Sequence, residues 1–372
     1  MNRPRIAPIG LALIVAVAAG CATAPDDLPG ILRGAEGPAW SLKASQDEMV
    51  VAVSPAGKAL RFAGSAGLVV GTAVDAGVNA KYRKLVRDLL DGYDTAAVFE
   101  ERLGEGLARA LGDDLRRVAP LGSTAGFKSR QEAEDARYRT LARSGVDVLL
   151  DLKITYGIYR PEGIMAARVL GDLHPLPKGA KLWDDKLVIW SGPVLADDKL
   201  GDPTDRVKPD VSSGLGVDEE AIEAWSSDDG AILKRRFEEV VDGTVSALLC
   251  GLGVERSAEG TYQLARLEMS RKRFQKAEDL FAAALAMAPD RVDIQTARAV
   301  NLAHSDKVDE AISMTEKTLA ASPDYGPALY NLAWWYAVEK DDPASARPYY
   351  ERARALGMPA GKKIEKALEK SD

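Results

Sequence analysis

Phe274-Gln275-Lys276-Ala277-Glu278-Asp279-Leu280-Phe281-Ala282-Ala283-Ala284-Leu285-Ala286-Met287-Ala288-Pro289 is the stretch that decides the fold of the carboxy-terminal third. Ala277, Phe281 and Ala284 fall on one face of a helix, and Pro289 closes the unit. Thirty-four residues on, Ala311 and Pro323 hold the first and last of these positions, with Thr315 and Thr318 between. A third copy has Ala346, Tyr350 and Ala353, shifted by one residue, which places an insertion near Asp341-Asp342-Pro343. The helix before that copy carries Leu329, Leu332, Ala333 and Tyr336, and Leu264 and Ala265 match Leu332 and Ala333 in the first unit. The second unit departs, with Arg298 where Leu is expected. Small residues let two helices of a unit approach closely, and large ones fill the space between units. The polar, helix-forming stretch 360–370 reads as the solvating cap that such arrays need.

The 34-residue period resembles the tetratricopeptide repeat. Three repeats and a capping helix are expected over 256–372. The resemblance implies a concave groove lined by the first helix of each repeat. Carried over position by position, that face holds Tyr262, Arg266 and Met269, then Thr296, Val300 and Ala303, then Tyr330, Trp334 and Ala337. Tyr262, Arg266, Met269, Tyr330 and Trp334 are the candidate partner-binding residues, because aromatics and Arg are common anchors of recognition. Two readings of Trp334 stand: contact with a ligand, or packing against the cap or the preceding domain. Trp335 points away and reads as core.

At the amino end, Arg3 and Arg5 precede the apolar run 6–19, the length of a signal-peptide core. It ends in Val17-Ala18-Ala19-Gly20-Cys21, which resembles the lipobox of bacterial lipoproteins, with Ala18 where Leu is commoner. The resemblance implies removal of 1–20 and acylation of Cys21; a plain cleaved signal and a short anchor helix are the alternatives. More than one acyl chain is needed for stable anchoring, which a triacylated Cys21 satisfies. Ala22, rather than Asp, follows Cys21, and by the sorting rule of such lipoproteins this points to the outer membrane, with the bulk of the chain periplasmic. Removing 1–20 takes away two arginines and no acid, so the mature charge becomes −9. Residues 21–40, rich in Pro, Gly and Asp, read as a tether.

Residues 41–254 alternate in type. Strands are expected at 48–53, 116–120, 146–159, 164–173 and 181–190, the last three as an antiparallel meander. Helices are expected at 95–111, at 129–144 with Ser129 and Glu132 as a capping box and Gly145 as the stop, and at 218–252 with a break near Asp228-Asp229-Gly230. This order predicts a mixed α/β sandwich followed by an all-α solenoid: an α+β domain, then a purely helical one. The element order resembles the compact periplasmic domains of curli-secretion-type assembly lipoproteins and of lipoprotein activators of cell-wall synthases. The run Gly71 to Gly77 leading into Lys81-Tyr82-Arg83-Lys84, with Tyr93-Asp94 after it, is similar to envelope lipoproteins of proteobacteria and brings no activity with it.

Gly64, Gly67, Gly71 and Gly77 sit among Ala, Val and Ser, with Gly67 and Gly71 at small-xxx-small spacing. Three readings stay open for 64–80: a tightly packed internal segment, a self-associating or lipid-dipping helix that would make the protein a homo-oligomer, and a membrane span. The charge-free part, 62–74, falls short of the ~20 residues a span requires.

Composition narrows the function. The 372 residues include 28% charged and 46% apolar, and the net charge of −7 disfavours nucleic acid. Two histidines and two cysteines leave no Cys/His metal-ligand spacing. Gly122-Ser123-Thr124-Ala125-Gly126 misplaces the serine of a nucleophile elbow. No phosphate-binding glycine motif is present, and 197–210, with five aspartates, lacks the spacing of a calcium loop and reads as a solvated loop. The expectation is a non-enzymatic, lipid-anchored scaffold without cofactor or metal. Its membrane contact is Cys21, and its partner, held by the repeats, is an envelope protein or peptide; a self-assembling component of an envelope complex is the alternative.

Overall fold

The structure is a computed structural model and describes residues 28–46, 49–51, 80–159, 163–177, 181–198, 200, 225–226 and 228–370. The signal segment, Cys21 and the four glycines Gly64, Gly67, Gly71 and Gly77 lie outside these residues.

The first region holds α1 (Leu28–Gly34), β1 (Pro38–Ala44), β2 (Val50–Val51), α2 (80–89), α3 (Thr95–Leu111), β3 (Arg116–Arg117), α4 (Arg130–Arg143), β4 (Val148–Tyr159), β5 (Ile164–Pro175) and β6 (Trp183–Trp190). The strand order is β3-β1-β4-β5-β6, and β2 also pairs with β4. β1 runs parallel to β3 and β4, β2 parallel to β4, and β4-β5-β6 form an antiparallel meander. The cause is legible in β4. Leu150, Leu152, Ile154, Tyr156 and Ile158 point to one face and enter the main core, while Asp151, Lys153 and Thr155 alternate to the other. Helices α1, α2 and α3 cover the apolar face through Leu32, Tyr82, Val86, Phe99, Leu103 and Leu107.

Residues 28–40 therefore do not form a tether. Leu28, Leu32 and Trp40 are buried in that core, and β1 pairs with β4 over its whole length. A strand that lies between two partners cannot hang free.

On the opposite face, α4 starts at the expected cap: Glu132 N donates to Ser129 Oγ at 3.1 Å, and the Glu132 carboxylate accepts from the Lys128 amide at 2.6 Å. Arg137 latches this helix to the sheet, donating to Asp151 at 2.8 Å, to Ser41 Oγ at 2.9 Å and to the Ala119 carbonyl at 2.9 Å.

Eight helices follow among the described residues: α5 (Ala231–Gly251), α6 (Ala258–Ser270), α7 (Phe274–Met287), α8 (Val292–His304), α9 (Val308–Ala321), α10 (Gly326–Trp334), α11 (Pro343–Ala355) and α12 (Lys362–Glu369). Asp229 and Gly230, both at positive φ, form the turn that starts α5. From α6 onward the arrangement is that of a helical repeat. The first helices begin at 258, 292 and 326, a constant step of 34. The turn residues Lys272, Asp306 and Asp341 share a left-handed backbone, at φ 61°, 62° and 52°. Ala265, Ala299 and Ala333, one per unit, are completely buried. The last turn arrives one residue late. That extra residue is not inserted at 341–343 as expected; α10 absorbs it in a π-helical turn over Trp335–Glu339, where the Lys340 amide donates to the Trp335 carbonyl five residues back. Arg298, out of pattern in the second unit, reaches back to Glu278 of α7 at 2.6 Å.

α5 joins the two regions. Phe237, Val241 and Leu248 enter the sheet core, and the helix also packs along α6. The approach is closest at Gly260, whose equivalents one and two units on are Ile294 and Ala328. A Cβ at Gly260 would stand 2.3 Å from the Ser246 carbonyl oxygen. Gly260→Ala therefore pushes the array off α5 and costs about 1–3 kcal/mol; a lower urea midpoint with unchanged far-UV circular dichroism is the expected readout.

Candidate peptide-binding site

The inner face of α6, α8 and α10 brings Tyr262, Arg266, Met269, Tyr330 and Trp334 together, but it is not open. All five side chains are buried, Arg266 to 3% and Trp334 to 7% exposure. The expectation of a free groove is corrected by what lies on it. After β6 the chain runs on as a strap, Ser191 to Asp198, across the inner side of the helices. Val194 and Ala196 turn inward and join the core of the array, while Pro193 and Asp197 are exposed, so the strap alternates as a strand does.

Two side chains hold the strap by its main chain. Asn331, completely buried in α10, accepts from the Ala196 amide at 2.8 Å and donates to the Val194 carbonyl at 3.2 Å. Arg266 donates to the carbonyls of Trp190 and Gly192 at 3.0 and 3.1 Å. Its guanidinium lies 4.7 Å from the Trp190 ring and 5.4 Å from the Tyr262 ring, an arrangement that attracts a cation electrostatically. A third contact is to a side chain: the Tyr330 hydroxyl donates to Asp197 at 3.0 Å. Burial and the adjacent Asp197 carboxylate together raise the Tyr330 phenol, and burial pushes Tyr262 up to about 12. Both phenols therefore stay protonated through the physiological range. The strap ends in a turn, where the Leu195 amide donates to the Asp198 carboxylate at 2.9 Å. Asp197 and Asp198 are thus the closing residues of a bound segment and not part of a freely solvated loop.

Trp334 also meets the cap, with the Lys363 ammonium 5.1 Å from its ring centre. Where the strap enters, a cleft of about 490 Å³ is bounded by Trp190, Tyr262, Arg266, Arg291 and Tyr325. Two polar atoms of this face have no hydrogen-bond partner among the described residues: Arg266 Nε and the hydroxyl of Thr296, the residue equivalent to Tyr262 and Tyr330 in the second unit.

A second cleft, of about 630 Å³, lies between α4 and the sheet. Its acids Asp151 and Asp172 face each other across β4 and β5, Asp151 taken by Arg137 and Asp172 by Lys181 at 2.6 Å. His174 packs on Tyr138 at 5.2 Å, and burial lowers its pKa and keeps it neutral at pH 7. The acids Glu134, Asp151 and Asp172 there are each paired with a cation, whereas the inner face of the array combines buried main-chain clamps with unmatched polar atoms.

No protein-family profile and no curated protein matches this chain. Among solved structures, the chain is similar to the tetratricopeptide-repeat domain of Sgt2 from Aspergillus fumigatus, at 24% identity and a TM-score of 0.28, over 30% of this chain and 75% of that one. Among the described residues no helix is long and apolar enough to cross a membrane.

Asn331→Ala leaves the Ala196 amide and the Val194 carbonyl buried without partners, at a cost of about 2–3 kcal/mol. The expected outcome is a lower urea midpoint and loss of hydrogen-exchange protection at the Ala196 amide.

Proposed function

We propose that this chain is a non-enzymatic interaction protein, tethered to the outer membrane through an acylated Cys21, whose tetratricopeptide-type array grips an extended segment of another envelope protein on its concave face. One observation carries the reading: a fully buried Asn331 that spends both faces of its amide on the main chain of an extended segment. Main-chain pairing of this kind is how extended peptides are commonly held, with inward pockets for alternate side chains. The constant 34-residue step of the helices and their turns supports the repeat assignment. The lipobox-like Val17–Cys21 supports the tether.

Two measurements test it. Cells fed an alkyne-bearing fatty acid are expected to label the chain, and Cys21→Ser to abolish the label; equal labelling of both would remove the tether. Photocrosslinking from position 262 in cells is expected to capture a second envelope protein, and Asn331→Ala to reduce that adduct at least fivefold. If position 262 crosslinks only to the chain's own strap, the interaction role is lost.

A further inference from the structure

We propose that the concave face is closed in cis, and that the strap occupies the place of a partner segment of defined chemistry: an extended peptide with two small apolar residues separated by one residue, followed by a carboxylate. This rests on the reading of the concave face given above and names its ligand and its regulation.

The pattern is read from the strap. Val194 and Ala196 are the inward residues, and both are buried among the side chains of the array. Leu195 between them is half-buried and packs at the margin of the same core. The second inward position is held by the smaller residue, Ala196, and a charged side chain there would enter the apolar core of the array. Asn331 reads the main chain of the two inward residues and is indifferent to their side chains. The Tyr330 hydroxyl donates to the Asp197 carboxylate and so selects an acid at the next position.

The strap is also a replaceable occupant. It follows the last strand residue, Trp190, and comes before α5, so it belongs to neither the sheet nor a helix. Between Gly192 and Val194 it passes through Pro193, which has no amide hydrogen to offer. Arg266 Nε, beside the 490 Å³ cleft, and the Thr296 hydroxyl of the second unit are left without partners among the described residues. A partner segment that reaches these two atoms gains hydrogen bonds that the strap does not make. The strap's advantage is its attachment: a short tether gives it an effective concentration of order millimolar. Occupancy from outside is then set by whether a partner exceeds that threshold, and the strap rejects weak ligands.

The test uses the full chain and a fluorescein-labelled peptide of residues 192–198, Gly-Pro-Val-Leu-Ala-Asp-Asp, followed by anisotropy. Val194→Asp with Ala196→Asp releases the strap by placing charges at its two inward positions. The labelled peptide is expected to bind this variant at least tenfold tighter than the wild-type chain. Adding Asn331→Ala is expected to return it to the wild-type level, and the Ala196→Glu peptide is expected to bind at least tenfold more weakly. Circular dichroism and the thermal midpoint check that the released variant is folded. The milder Asp197→Ala, at an exposed position, is expected to raise peptide affinity about threefold if the double variant does not fold. Equal binding to wild-type and released chains overturns closure in cis. Equal binding of the wild-type and Ala196→Glu peptides overturns the proposed pattern but leaves the main-chain grip intact. Absence of binding to a folded released variant overturns this proposal, and the crosslinking from position 262 then decides separately whether the face grips any partner.

Discussion

A peptide group taken out of water must find a partner, and the inner face of the helical array is organised by that requirement. Val194 and Ala196 complete the apolar core of the repeats, but their main chain comes with them into a place without solvent. The Asn331 amide, an NH2 donor group and a carbonyl acceptor on one rigid plane, matches a carbonyl and an amide two residues apart. Without that match, burial of the strap would cost more than its two small side chains return. Much else follows from the strap's position: the bond from Tyr330 to Asp197, and the cleft where the strap enters.

Arg266 meets the same requirement with a full charge. It is nearly inaccessible, yet among the described residues it bonds to no carboxylate: it binds two carbonyls and the Gln263 amide oxygen, and it lies over two aromatic rings. The nearby acid Glu259 is instead engaged by Arg291 at 2.9 Å. Carbonyl dipoles and ring faces offset part of the desolvation of a guanidinium. They do so without fixing the charge to one partner, and Nε is left over. A site that holds an extended chain by its backbone uses such a cation well, because carbonyls are present in every peptide.

The array was legible because its code is steric. Small residues recur wherever helices cross, at Ala265, Ala299 and Ala333 and at Ala277, Ala311 and Ala346, and a step of 34 survives even Arg298, which turns aside to Glu278. The meander was legible because β4 alternates and is long. Three features were not. Residues 28–40 have the composition of a linker, and the few large residues that matter, Leu28, Leu32 and Trp40, are diluted by Pro, Gly and Asp. The inserted residue could be bracketed only between Ala333 and Ala346; nothing in the residue types distinguishes a widened turn of α10 from a longer loop. The strap carries two inward residues, too few for a period to register. One signal was available: Leu329 to Trp335 is apolar on every side except Asn331. A helix greasy all round is covered all round, so the face read as an open groove already implied a lid, and the single amide within it marked where backbone lies.

Stacked hairpins normally touch only their neighbours, so they fray from a free end and lose order unit by unit. Here the sheet is linked to the array at both ends: at its beginning through α5 packed along α6 and through Arg271, which donates to the Lys186 carbonyl of β6, and near its end through the strap held by α10. The first and third hairpins thus belong to a closed mechanical circuit that passes through β6. Such a circuit cannot unravel at its tip alone, so loosening of the last unit is coupled to the sheet, and release of the strap converts a stiff, looped body into an ordinary spring.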